Sequence, residues 1–508
     1  MKHGARSGVR AGLVVAAVAV FAAATDSACG SSKSGHEVVF VPVDASMPTV
    51  APAMLPPTNP EPTDDSSDDA DAAPAPCDPP DGGDGGPSYH DINNPACWST
   101  MATTDLSATQ SFFGGAFDGR YVYLTNTVLS MDSLLRLDTL PEGGGWQEFT
   151  FGIDGGEPVG GYEGTAYDGR YMYFVPGEGD VFVTRYDTQG GFSTAASWTD
   201  FDLAEPDGGT DSGSVDSYEA TDSGAGNFVG YQGAVFDGRY VYLVPYGSFS
   251  GVNSGRVARY DTTAPFGANT SWSTFDTTTK DTAAAGFSGA TFDGRYLYLV
   301  PSAYAPADGG AGAVGSIAVQ FDTTAAFESP ASWTTFDTTA ENPYAAGFSG
   351  ATFDGRYVYF APNRGQAGFF STVVARFDTQ GAFADLSAWS AFDTSPLNPD
   401  PTSYDWDYRG AVFDGRYVTF VPTNGSRLLR YDTENAFSAT TSWTSVELST
   451  VAPTSHGDFV GAVFDGQRVY FVSTGYGPLT IFDAKTPPAI PPAASSLPDG
   501  YPGTGSFF

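Results

Sequence analysis

Seven copies of one phrase govern what this chain can fold into. The first reads Gly115-Ala116-Phe117-Asp118-Gly119-Arg120-Tyr121, and the equivalents have their Asp-Gly pairs beginning at Asp168, Asp237, Asp293, Asp354, Asp414 and Asp465. Successive copies start between 50 and 69 residues apart. After each comes an aromatic and aliphatic run such as Tyr240-Val241-Tyr242-Leu243-Val244, then a variable stretch. A second phrase follows, such as Arg259-Tyr260-Asp261-Thr262, and then a third, such as Ser271-Trp272-Ser273-Thr274-Phe275-Asp276. Each unit therefore holds four strand-like pieces. The Asp-Gly pair between two β-rich runs predicts a tight hairpin with a type I′ turn, which needs positive φ at both central positions.

Four antiparallel strands repeated seven times predict an all-β fold, a seven-bladed β-propeller. A string of separate sandwich domains is the main competitor, and units of this length are too short to bury two full sheets. Gly and Ala ahead of the turn, as in Gly289-Ala290, suit an inner strand crowded near an axis, and the Trp-bearing piece suits an outer strand. The Trp phrase occurs at Trp98, Trp146, Trp198, Trp272, Trp333, Trp389 and Trp443, so one copy precedes the first Asp-Gly and none follows Asp465. The segment near Trp98 is thus expected to supply the outer strand of the seventh blade. Such a closure removes the free edge that an open ring would expose.

Tyr260 on the third strand and Trp272 on the fourth, in repeats of this length, resemble the kelch-like propellers over roughly residues 96 to 485. The diglycine that the kelch pattern puts after the second strand is replaced by Val-Pro, as at Val244-Pro245, Val300-Pro301 and Val421-Pro422. The resemblance therefore implies architecture and no activity. The Ser-x-Asp-x-Gly-x-Thr-Trp order of sialidase Asp-boxes is not reproduced, so glycosidase chemistry is not carried over from that family.

The beginning of the chain reads as an address. Lys2, Arg6 and Arg10 precede the apolar run Ala11 to Ala24, which is too short to span a bilayer, and small residues lead into Cys29. Residues 1–28 are expected to be a secretory signal peptide. The placement of Cys29 resembles the lipobox of bacterial lipoproteins, with Asp26 where that family prefers an aliphatic residue. The resemblance implies lipidation of Cys29 and a lipid-anchored place in the cell envelope; plain secretion, a periplasmic location or an uncleaved anchor are the alternatives. Residues 29–95 are rich in Pro, Asp, Ala, Gly and Ser, and from Gly30 to Ala96 carry twelve acids against one Lys. That block self-repels and has too little apolar surface to offset its ordering entropy, so it reads as a disordered tether. The propeller is expected over 96–485 and a Pro/Gly-rich tail over 486–508.

Three Cys are present, Cys29, Cys77 and Cys97. With the first lipidated, the other two predict a disulfide in an exported chain, stapling the tether to the closing strand. No CxxC occurs and there are only four His, so neither a metal site nor a cofactor is expected. With 22 Lys+Arg against 59 Asp+Glu the formal net charge is -37. A nucleic-acid partner is excluded by that field, since phosphate binding needs clustered cations. Much of the acidity recurs in the repeated phrases and is therefore architectural.

Loop lengths separate two faces of the ring. From the third-strand Asp to the fourth-strand Trp the spacing is 8 in the first blade and 11 in the next five. By contrast, Trp to the next Asp-Gly spans 20 to 39, and Asp-Gly to the third-strand Asp spans 18 to 29. Both variable connections leave the same face, which is where a rigid scaffold usually carries its binding site. Long insertions there are residues 203–228, 302–316 and 394–408, the last with Tyr404-Asp405-Trp406-Asp407-Tyr408. Tyr404 and Trp406 between carboxylates suit a sugar ring or a cation, or cover the top of a blade.

At each inner-strand start an aromatic recurs: Phe112, Tyr162, Tyr231, Phe287, Phe348, Tyr408 and Phe459. These read as core between blades. The following position varies as Phe113, Glu163, Gln232, Ser288, Ser349, Arg409 and Val460, and strand alternation turns it the other way, toward the channel mouth. Glu163, Gln232 and Arg409 are the candidate binding cluster. The Arg that follows each Asp-Gly, from Arg120 to Arg416 with Arg468 displaced by Gln467, recurs in every blade and so answers a shared structural need, pairing with the third-strand Asp or stacking on a ring. Its alternative is a lectin with seven equivalent pockets. The expected function is a cell-envelope lipoprotein, monomeric, binding a protein or glycan on the irregular face and touching the membrane only through its lipid. A carbohydrate-active enzyme, lyase or glycosidase, is the rival, with Glu163 and Asp405 or Asp407 as the place to look and no catalytic residue assigned; a purely structural envelope protein is the third option.

Overall fold

The structure is a computed structural model of the full chain. It describes residue 77, then residues 87–488 apart from the connections 104–111, 127–132, 141–144, 151–160, 178–181, 204–229, 248–252, 303–313, 364–370, 400–406, 424–426, 456 and 475–476. The described residues form seven four-stranded antiparallel sheets and one two-stranded pair. The only α-helix among them is the single turn Leu448–Val451. The third blade shows the pattern: Tyr231–Phe236 pairs with Tyr240–Pro245, which pairs with Arg256–Asp261, which pairs with Trp272–Asp276. The innermost strands of successive blades contact one another in a closed circle, from Phe112–Phe117 round to Phe459–Phe464 and back. The fold is the seven-bladed propeller that the repeats predict.

The hairpin turn differs from the expected type I′. Its two central residues are Gly and Arg, not Asp and Gly: the Asp237 amide donates to the Tyr240 carbonyl at 3.1 Å, closing the turn around Gly238-Arg239. The Asp sits just before the turn and caps it. Its Oδ1 accepts the amides of Arg239 at 2.8 Å and Tyr240 at 2.7 Å, and its Oδ2 accepts the Tyr242 hydroxyl at 2.7 Å. Glycine then stands at the first central position, as in a type II′ turn, with φ between 95° and 109° in all seven copies.

The ring closes as the Trp arithmetic requires. Trp98–Met101 pairs antiparallel with Leu479–Asp483 and completes the seventh blade. More than one strand is donated. Trp98 bonds its indole N–H to the Ile92 carbonyl at 2.9 Å across the 3₁₀ turn Pro95–Cys97, repeating the six-residue corner that Trp272 makes with Phe266 and Trp333 makes with Phe327. Upstream, Ser88–Tyr89 pairs with Lys485–Thr486, so residues 87–95, assigned to the tether on composition, carry part of the closure. The expected disulfide joins Cys77 to Cys97.

The core lies between blades. Each fourth-strand Trp from the second blade to the sixth stacks on a Phe of the preceding blade's outer strand, as Trp333 does on Phe275 with centroids 4.5 Å apart. The same pairing recurs for Phe149 with Trp198, Phe201 with Trp272, Phe336 with Trp389 and Phe392 with Trp443. All seven inner-strand aromatics expected in the core are buried. Burying aromatics of this size between blades is favourable in proportion to the apolar area removed from water.

Candidate functional site

The position after each inner-strand aromatic points away from that core, and the side chains there meet round the ring. Gln232 Nε2 donates to Glu163 Oε2 at 3.2 Å, Ser288 Oγ donates to Gln232 Oε1 at 2.6 Å, and Ser288 and Ser349 hydroxyls lie 3.3 Å apart. One hydrogen-bonded relay thus crosses four consecutive blades. Gln232, Ser288 and Ser349 are nearly buried, and Glu163 is partly exposed. Strand alternation places them because the aromatic neighbour is committed to the inter-blade core. Gly177 makes room for the row, since a Cβ there would meet Glu163 Cγ at 2.5 Å.

Arg409 holds the same position in the sixth blade. Its guanidinium lies over the Phe113 ring, 5.4 Å from the centroid, reaching past the seventh blade, where Val460 is buried. Among the described residues it has no ion-pair or hydrogen-bond partner. Glu163 and Gln232 are therefore brought together directly, and Arg409 is joined to the ring through Phe113. Tyr404 and Trp406, with Asp405, lie outside the described residues. Asp407 is buried, and Asn363 donates to it and, at 3.1 Å, to the Tyr408 carbonyl.

The recurrent arginines are structural. Arg239 Nη2 pairs with Asp261 Oδ2 at 2.7 Å while the guanidinium stacks on Tyr240 at 4.8 Å, and the first six blades repeat this with N–O distances of 2.7 to 2.8 Å. In the seventh blade Gln467 takes over, donating to Asp483 at 3.2 Å. The hydrogen bond from Arg239 is the chief reason the Asp261 carboxyl is lowered to about 2. Six of these guanidinium groups are thus already paired with a carboxylate of their own blade.

A second set of arginines, unassigned by the sequence reasoning, joins neighbouring blades. Arg136, Arg185, Arg259, Arg376 and Arg430 stand two places before the third-strand Asp. Arg259 is sandwiched between Tyr240 of its own blade, at 4.0 Å, and Phe327 of the next, at 4.1 Å. Arg136, Arg185 and Arg376 make the same sandwich, and Arg430 lies over Tyr417 at 3.8 Å and, at 5.2 Å, over Phe482 on the third strand of the seventh blade. The signal was the repeated Arg-x-Asp within the second phrase, of which only the Asp was used.

Cys77, His90 and Cys97 place their ligand-type atoms within 4.8 Å of one another. The two sulfurs are bonded to each other and offer no thiolate. His90 Nδ1 instead lies 2.8 Å from the Asp483 carbonyl.

No known protein family's sequence profile matches the chain, and no curated protein matches it. Several solved structures show a distant likeness, one of them described as a β-propeller domain. Virginiamycin B lyase from Staphylococcus aureus is 12% identical, with 76% of this chain and 98% of that one covered and a TM-score of 0.46. The β-propeller domain of Myceliophteria thermophila Cps50 (Swd1) is 10% identical over 76% of this chain and 99% of that one, with a TM-score of 0.45. PorZ of Porphyromonas gingivalis is 12% identical over 78% of this chain and 39% of that one, with a TM-score of 0.41. At such identities and TM-scores the likeness carries no argument about what this chain does.

Proposed function

We propose that this chain is an exported binding protein of the bacterial cell envelope, held by lipidated Cys29, spaced by the acidic tether, and presenting one propeller face to a glycan or protein. The supporting observation is the relay from Glu163 to Ser349 with Arg409 on the same row, a polar set that the inter-blade core does not use. Polar groups held on a rigid scaffold bind with little ordering cost. The blades are read as kelch-like, with Tyr260 and Trp272 rings in contact at 5.0 Å on the third and fourth strands. The protein acts as a monomer, and its membrane contact is the lipid alone.

The test is a glycan and secreted-protein binding screen on the chain from Cys29 to Phe508, repeated with Gln232→Leu combined with Arg409→Gln, and separately with residues 400–406 removed. Binding lost with the side-chain pair supports the reading; binding indifferent to both changes overturns it. Acyl chains on Cys29, seen by mass analysis of envelope fractions, support the anchor, and an unmodified Cys29 removes it.

A further inference from the structure

The junction between the seventh blade and the first is built unlike the others. At five junctions a fourth-strand Trp stacks on a Phe of the blade before it. That Phe stands three places after the Trp of its own strand, as Phe275 does after Trp272, and opposite a third-strand residue, here Val257. On the donated strand the same place, opposite Leu479, is held by Met101. Strand alternation turns Trp98 toward the sixth blade, where it joins the cluster of Val446 and Leu428, and turns Met101 toward the first. Met101 and Trp146 are both partly buried against one cluster, in which Leu479 and Ile481 of the seventh blade meet Phe112 and Leu135 of the first.

Two other ties are altered at this junction. From Asp138 to Trp146 the spacing is 8, against 11 in the next five blades, and the Trp146 indole N–H donates not to a corner of its own blade but to the Ala102 carbonyl, at 3.1 Å. A first-blade side chain is thereby bonded to the residue next to Met101. The sandwiching arginine is also replaced: Ile481 stands two places before Asp483, where Arg259 stands before Asp261. The strand that closes the ring is four residues long, and the other six outer strands have five.

We infer that Met101 is an oxidation site, converted to the sulfoxide by oxidants of the peroxide class, and that the sulfoxide loosens the seam at which the ring closes. The inference is independent of what the irregular face binds. The thioether sulfur attacks one peroxide oxygen and the O–O bond breaks as the S–O bond forms. The proton on the transferred oxygen passes to the other, which leaves as water, and the sulfur gives up two electrons. Exposure selects the residue: of the described methionines, Met172 is fully buried and Met101 is not. Place gives the consequence. The Phe found here at five other junctions has no sulfur to oxidise, whereas a thioether turns from an apolar side chain into a polar one. Its new oxygen either enters a cluster of apolar side chains or takes the side chain out of it.

The experiment exposes the folded chain from Cys29 to Phe508, its free thiol blocked with N-ethylmaleimide, to hydrogen peroxide. Peptide mass analysis is expected to show Met101 gaining one oxygen about 10-fold or more faster than Met172, because susceptibility follows exposure. The melting temperature is expected to fall by about 2 °C or more in step with conversion of Met101. In Met101→Leu the same treatment is expected to leave it unchanged, although every other methionine is still present. The reaction rates and the melting of the unaltered protein are decisive even if the variant folds poorly. Met101 reacting no faster than Met172, full conversion of Met101 with an unchanged melting temperature, or an equal fall in Met101→Leu each overturns the inference.

Discussion

Arg430 donates to the Asp414 carboxylate at 2.6 Å, onto the oxygen that a tyrosine hydroxyl occupies in each of the other six blades. Thr419 stands where those blades have Tyr, and the exchange leaves room that the N-terminal segment fills. Tyr89 packs edge-on against Tyr417 at 5.8 Å, Arg430 also donates to the His90 carbonyl at 3.2 Å, and Lys485 Nζ donates to the Asp414 carbonyl. Burial, and then the charge of Asp414, pushes the Tyr89 hydroxyl up to about 12. The sixth blade has given up its own tyrosine to receive the clasp.

Asp414→Asn is expected to destabilise the protein by about 3–5 kcal/mol, because both partners of this ion pair are nearly buried and the change strands a buried guanidinium. Asp237→Asn disturbs a cap facing a neutral tyrosine and is expected to cost about 1–2 kcal/mol. Urea unfolding of the two variants, followed by tryptophan fluorescence, gives the comparison; equal losses would refute the special standing of the sixth blade.

The arginine sandwich is missing between the fourth and fifth blades, where Gln320 donates to the Tyr298 hydroxyl at 3.3 Å. Gln320→Arg is expected to raise stability by about 0.5–1 kcal/mol by placing a cation between Tyr296 and Phe383. A lower melting temperature would count against the inter-blade role of the other five.

Thr165 Oγ1 is buried with no hydrogen-bond partner, on an inner strand where five blades have Ala. Thr165→Val keeps the shape and removes an orphaned hydroxyl, so stability is expected to be unchanged or to rise by up to about 1 kcal/mol. Thermal unfolding that shows a loss would mean the hydroxyl is bonded after all.

Asp261 titrates at about 2 in the folded chain, chiefly through Arg239, against about 3.9 unfolded. A depressed carboxyl contributes stability that is present above about pH 4 and is lost as pH falls through about 2. The five equivalent carboxyls are shifted the same way. Melting temperature is therefore expected to drop across this window, and the drop to shrink in Arg239→Met; a flat profile between pH 4 and pH 2 would contradict the pairing.

Breaking the Cys77–Cys97 link, which closes 20 residues, is expected to cost about 3 kcal/mol by the chain-entropy estimate. Cys97→Ser, or melting with and without a phosphine reductant, measures it.

Most of the fold was legible because repetition makes each local signal count seven times. Trp98 was placed on the seventh blade by counting, and Cys77 with Cys97 by elimination. Glu163 and Gln232 were brought to one row by strand alternation alone. The turn type was misjudged because the Asp side chain takes the amides two and three residues further on, as Asp237 takes those of Arg239 and Tyr240, and so moves the turn one residue along. The docking of Tyr89 and His90 on Tyr417 and Arg430 was illegible for another reason: these partners lie more than three hundred residues apart, and only Thr419, a single departure from the repeat, marked the place.

The sulfur bridge also decides how the ring would meet a mechanical load. A pull applied to the chain ahead of Cys77 crosses to Cys97 through the bridge and skips residues 78–96. The short pairing of Ser88–Tyr89 with Lys485–Thr486 is thereby held slack. Whatever drag the propeller feels, the strain falls first on the Trp98 strand, locked beside Leu479–Asp483, and the weaker latch is spared until the covalent one fails.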